Sequence, residues 1–179
     1  MTLFGFTILT GILLGALGIF FILNPGVTRS IATGFLRSMP TAYLTMIAAA
    51  AWFIFRHVKN LSQADFGEYK FLIGGITILL LVLAFKFLPD FLAVRGCATL
   101  VLFYSREALD AAFLQEPSSR LFLVAIIYIA LSIALYLAAW PYRLRDFFNW
   151  LYSSSIRSRI LGCLMLVYGT ILGFVALGY

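Results

Sequence analysis

The sequence predicts an all-α protein, a polytopic transmembrane helix bundle of six spans arranged as three hairpins, with one or two interfacial amphipathic helices. Three observations predict it. Charged residues make up 11% of the chain and hydrophobic ones 63%, whereas a soluble domain carries about 25% charged residues. Apolar runs long enough to cross hydrocarbon, which takes about 20 helical residues, recur along the whole chain, and the mean hydropathy is +1.03. The breaks between runs hold Pro, Gly and most of the charge, as loops between spans do. Residues 1–179 are expected to form a single transmembrane domain, because no polar stretch is long enough for a second one.

The first span is expected at Leu3–Leu23, stopped by Asn24-Pro25-Gly26. It has no basic n-region and reads as a retained span, not a signal peptide. The second, Thr41–Arg56, opens at Pro40, which suits a first helical turn. The third, Phe71–Phe87, ends at Pro89, and the fourth, Asp90–Phe113, at Glu116-Pro117. The fifth is Leu121–Trp140, ended by Pro141, and the sixth is Ile160–Tyr179.

Orientation follows from the bias of Lys and Arg toward cytoplasmic loops. The first, third and fifth connections carry Arg29, Arg37, Lys86, Arg95, Arg143, Arg145, Arg157 and Arg159, with only Asp90 and Asp146 against them. The other side carries Arg56, Lys59, Lys70, Arg106 and Arg120, and also Asp65, Glu68, Glu107, Asp110 and Glu116. The sequence therefore predicts an inner-membrane protein with both termini outside, on the periplasmic side.

Residues 142–152, YRLRDFFNWLY, put Leu144, Phe147, Phe148 and Leu151 on one helical face and Arg145, Asp146 and Asn149 on the other. That is the pattern of a helix lying in the interface. Arg143, Arg145, Trp150, Arg157 and Arg159 are the candidate contacts to lipid headgroups. Val27, Ile31 and Phe35 form a weaker version in the first connection. A register pairing Pro25 with Pro141, Arg29 with Arg145 and Ser38 with Ser154 suggests a weak parallel repeat of residues 3–58 and 119–179.

The fourth segment departs from the others, because it carries Arg95, Arg106, Glu107 and Asp110. On a helix, Arg95, Thr99, Arg106 and Asp110 fall within a sector of roughly 60°. Such groups cost roughly 2.5–3.5 kcal/mol each at the bilayer centre, so they must face protein, water or headgroups. Arg95, Thr99, Arg106, Glu107 and Asp110 are therefore the candidate docking or ion-pathway residues. If Arg95 reaches one surface and the other three charges reach the opposite one, they cap the segment and offer a docking surface.

Other chemistries lack their residues. The single histidine, His57, reads as interfacial and cannot supply a bis-His haem or a multi-His zinc set. Cys97 and Cys163 have no CxxC spacing. The chain has no P-loop, dinucleotide fingerprint or Gly-x-Ser-x-Gly serine. The net charge of +6 is accounted for by cytoplasmic loops and implies no nucleic acid. Catalytic residues, metal and cofactors are not expected; bound lipid is. The function expected is that of a non-enzymatic accessory or scaffold subunit of a larger inner-membrane complex, with lipids and other subunits or further copies as partners. The alternative is a small transporter or proton- or ion-conducting protein using the charged fourth span.

Overall fold

The computed structural model describes residues 2–23, 25–62, 67–88 and 90–179. The stop signals at Asn24 and Pro89 and the acid Asp65 lie outside the described residues. Among the described residues the protein is helical, without strands. In chain order the helices are α1 (Leu3–Ile22), α2 (Pro25–Leu36), α3 (Met39–Trp52), α4 (Lys70–Phe87), α5 (Leu92–Ala112), α6 (Leu121–Ala139), α7 (Tyr142–Leu151) and α8 (Ser155–Ala176). A π-helical stretch, Phe53–Val58, continues α3, and a short 3₁₀ turn, Gly67–Tyr69, leads into α4. With these extensions, five helices are long and apolar enough to cross a membrane: Leu3–Ile22, Met39–Val58, Gly67–Phe87, Ser118–Ala139 and Ser155–Ala176.

Local chemistry sets the boundaries. Thr2 caps α1 by accepting from the Gly5 amide, and Ser38 caps α3 by accepting from the Thr41 amide, with Pro40 in the first turn. Ser154 is extended ahead of α8, which therefore begins several residues before the expected sixth span. At the far end of α5, Leu114 adopts φ 53° and is almost wholly exposed. A Cβ in that left-handed region costs roughly 1–2 kcal/mol. Leu114→Gly is therefore expected to raise the thermal unfolding temperature in detergent, while Leu114→Ala, which keeps the Cβ, leaves it unchanged.

Glycine decides the tightest contact. A Cβ added at Gly11 would lie 2.9 Å from the Gly169 carbonyl oxygen, and one at Gly18 would lie 2.7 Å from that of Gly162. Gly162 and Gly169 face the reciprocal carbonyls at 2.6 and 2.7 Å. The numbers run in opposite senses, so α1 and α8 are antiparallel, touching backbone to backbone at points two turns apart. A Cβ added at Gly15 or Gly173, also on these helices, would meet nothing within 4 Å among the described residues.

The most heavily buried helix is α5, which packs between α3 and α6. Ala42 clusters with Leu92 and Ala93, Thr45 fills the space in front of Gly96, and Phe53 stacks on Phe103. These pairs rise together in number, so α3 and α5 run parallel. Ala108 and Ala112 pack with Leu123 and Ile127 of α6, and with Leu3, Phe6 and Leu172. Tyr43 stacks on Phe85 and Lys70 donates to the Lys59 carbonyl at 3.3 Å, so α4 runs antiparallel to α3 and its π-helical extension. Thus α3, α5 and α8 point one way and α1, α4 and α6 the other. The two short helices, α2 and α7, meet at one end, where Ala32 packs with Phe21, Leu151 and Tyr152. On α2 the buried stripe is Thr28, Ala32 and Leu36, while Val27 and Ile31 are exposed. In contrast to α5, α4 has no fully buried residue, and Phe71 is 96% exposed.

Candidate functional site: a charged cavity between α3 and α5

Parallel packing brings the ends of α3 and α5 together at the end of the bundle opposite α2 and α7. Through the π stretch, where the Lys59 amide donates to the Ile54 carbonyl at 2.9 Å, successive side chains advance by less than the about 100° of an α-helix. His57 therefore stays turned toward α5 together with Arg56. Arg56 grips Glu107 with both arms of its guanidinium: Nε donates to Oε1 at 2.9 Å and Nη2 to Oε2 at 2.7 Å. This forked geometry is the strongest arrangement open to an Arg–carboxylate pair. Glu107 is largely enclosed, with 16% of its side chain exposed against 57% for Arg56.

Arg106, the neighbour of Glu107, turns to His57. Its Nη1 lies 2.9 Å from His57 Nδ1. A guanidinium only donates, so Nδ1 accepts, and a neutral ring carries its proton on Nε2. Among the described residues, that Nε2 is buried without a hydrogen-bond partner. The ring sits beside Phe53 and Phe103, with centroids 5.8 and 5.5 Å away. Arg106 Nε also stands 4.0 Å from Asp110 Oδ2, at the limit of an ion pair, with both side chains mostly exposed. Together with Phe6 and Ala111, these five polar side chains line a cavity of about 330 Å³.

The structure thus gathers three of the expected residues, Arg106, Glu107 and Asp110, and adds Arg56 and His57, whose partners are 51 and 49 positions away in the chain. Arg95 and Thr99 are not part of this site. Arg95 lies about 16 Å from Arg106 along the helix axis at 1.5 Å per residue, and among the described residues its Nε is buried without a partner. Thr99 returns its hydroxyl to the Arg95 carbonyl at 3.0 Å. The groove alongside, between α3, α4 and α5, is apolar except for Thr77 and Thr99, and Thr77 likewise donates to its own helix, at Ile73.

At the opposite end, Arg143, Arg145, Trp150, Arg157 and Arg159 are exposed on α7 and α8. Arg145 pairs with Asp146 at 3.1 Å, and Arg143 lies over the Tyr142 ring. Arg157 is committed to α7: Nη1 donates to the Trp150 carbonyl at 3.2 Å and to Ser153 Oγ at 2.8 Å, with the guanidinium 4.9 Å from the Trp150 ring centroid. Among the described residues, no group of three or more His, Cys, Asp and Glu side chains is placed to hold a metal ion.

Fold and site together define a helical protein built for a membrane, with a charged cavity at one end and a basic, aromatic rim at the other. No protein-family model, curated protein or solved structure matches the chain.

Proposed function

We propose that the chain is an inner-membrane protein that crosses six times, α5 being the sixth crossing helix beside the five apolar ones, with the α2/α7 end in the cytoplasm and both termini outside. It serves there as a non-enzymatic accessory or scaffold subunit of a larger membrane complex. The observation that carries this reading is the separation of the charges on α5. Glu107 and Arg106 are engaged at one end with Arg56 and His57, with Asp110 beside them, Arg95 stands near the other, and an apolar groove with self-satisfied hydroxyls runs between α3, α4 and α5. A conducting protein needs polar groups strung through the membrane, and this arrangement favours two capped ends instead. Asp110, 73% exposed and only at the 4.0 Å limit of a pair with Arg106, and the exposed remainder of the Arg106 guanidinium beyond its bond to His57 are the groups that can meet a partner of mixed charge.

The test is co-purification of the tagged protein from its own membrane, with flux measured in liposomes. Wild type is expected to migrate with companions, and Asp110→Asn and Glu107→Gln to lose them without changing ion or proton flux. A lone particle of 20.0 kDa plus detergent would overturn the scaffold reading. Flux that vanishes in these variants would establish the alternative, a small transporter or proton-conducting protein.

A further inference from the structure

The contact between Arg106 and His57 holds in one protonation state only. Arg106 Nη1 stands 2.9 Å from His57 Nδ1, and a guanidinium can only donate. The ring must therefore keep a lone pair on Nδ1. A proton added there sets donor against donor and cation against cation. Imidazole is the side chain that gains such a proton within the physiological range. A second arrangement is already at hand. Arg106 Nε lies 4.0 Å from Asp110 Oδ2, and both side chains are mostly exposed, so a small movement closes a full ion pair. The imidazolium is left beside Glu107, whose two oxygens each accept one bond from Arg56 and keep a further lone pair.

The charges around the ring on the described residues are few. Arg56, on its own segment, and Arg106, Glu107 and Asp110, on α5, line the cavity with it, and α1 adds only Phe6. Lys59, Glu68 and Lys70 do not line the cavity, and Lys70 Nζ is engaged on the Lys59 carbonyl at 3.3 Å. The remaining neighbours of the ring are Phe53 and Phe103.

We propose that His57 is a proton-operated latch on the docking surface: protonation transfers Arg106 from His57 to Asp110, neutralises the exposed acid and releases the partner. This rests on the docking role proposed above and on this end facing outside, where the latch responds to external acidity.

His57 is the one histidine of the chain, so ¹⁵N-histidine labelling of the full protein, carrying a histidine-free tag, reports its ring without assignment. Titration from pH 8 to pH 5 stays above the ordinary carboxylate range of about 4. At pH 8 the ring should carry its proton on Nε2. The Arg106 Nε–H signal, identified by its loss in Arg106→Lys, should move with the same midpoint as the ring and stay still in His57→Gln. Proteins that co-purify at pH 8 should fall to about a tenth one pH unit below that midpoint, the fraction of rings still neutral there. In His57→Gln the same two pH values should give a ratio of about one, whatever the level. If that variant fails to fold, the ring and arginine signals of wild type carry the test. An Nδ1–H ring at pH 8, an Arg106 signal indifferent to the ring, or the wild-type pH profile retained in His57→Gln would each overturn the latch. Absence of companions at every pH would remove the docking role instead, and the Arg106 signal would still decide the latch.

Discussion

Gly162→Ile is expected to separate α1 from α8 and to abolish the folded bundle. The Cβ alone would lie 2.6 Å from the Gly18 carbonyl oxygen and 3.0 Å from the Ile22 amide nitrogen. Neither atom can rotate away, as a side chain could, so the helices must move apart. Overpacking that side chains can absorb costs about 1–3 kcal/mol. Here the obstacle is backbone, and a loss above about 3 kcal/mol follows, along with the contacts between Leu172 and Leu3 and Phe6. The measurement is recovery of monodisperse protein and its unfolding temperature in detergent. Gly15→Ala and Gly173→Ala are the matched controls. They lie on the same helices, but a Cβ added at either meets nothing within 4 Å among the described residues, and they should leave the unfolding temperature where it is.

Gly96→Val is expected to dismantle the charged cavity from a distance. Gly96 lies against the Thr45 side chain, and a Cβ there would also fall 3.1 Å from the Met46 amide nitrogen. Pushing α5 off α3 at this point moves everything beyond it, including the reach of Arg56 to Glu107 and of Arg106 to His57. The loss of stability should resemble an overpacked core, about 1–3 kcal/mol. The more telling result is loss of partner co-purification equal to that of Glu107→Gln, although Gly96 does not line the cavity. Retained co-purification in a folded Gly96→Val protein would mean that the cavity is not the docking surface.

The parts of this architecture legible in the sequence are those encoded by neighbours in the chain. The apolar runs marked α1, α4, α6 and the second half of α8. The amphipathic pattern marked α7, Pro40 marked the opening of α3, and the charges of Arg106, Glu107 and Asp110 marked one half of the site. Contacts between distant positions were hidden. Arg56 and His57 read as ordinary flanks of a span, because their role depends on α3 and α5 lying parallel and on a π stretch that no local pattern announces. The placing of Arg56 on the same side as Glu107 by the distribution of charge was the one available hint. The glycines show the same limit. Gly11 and Gly18 are two turns apart in the chain, and only the facing helix, which places Gly169 and Gly162 at the same interval, makes them the closest points of contact. The expected repeat has a parallel in the order of elements, since α1–α2–α3 and α6–α7–α8 are each long helix, short helix, long helix, and Ser38 and Ser154 both precede the third. Positions matching Gly11 and Gly18 in that register are Ile127 and Ala134, and α6 packs not on α3 but on α5.

With Arg95 near one end and Arg106, Glu107 and Asp110 at the other, α5 is expected to cross the membrane with each end at a polar surface. Asp90→Cys and Ser118→Cys, made separately in a Cys97→Ala, Cys163→Ala background, place one thiol beyond each end of α5. Labelling with a membrane-impermeant maleimide in right-side-out vesicles should modify the protein carrying Ser118→Cys and spare the one carrying Asp90→Cys until the vesicles are opened. Modification of both from the same side would mean that α5 does not cross, and the account of its charges would fail with it.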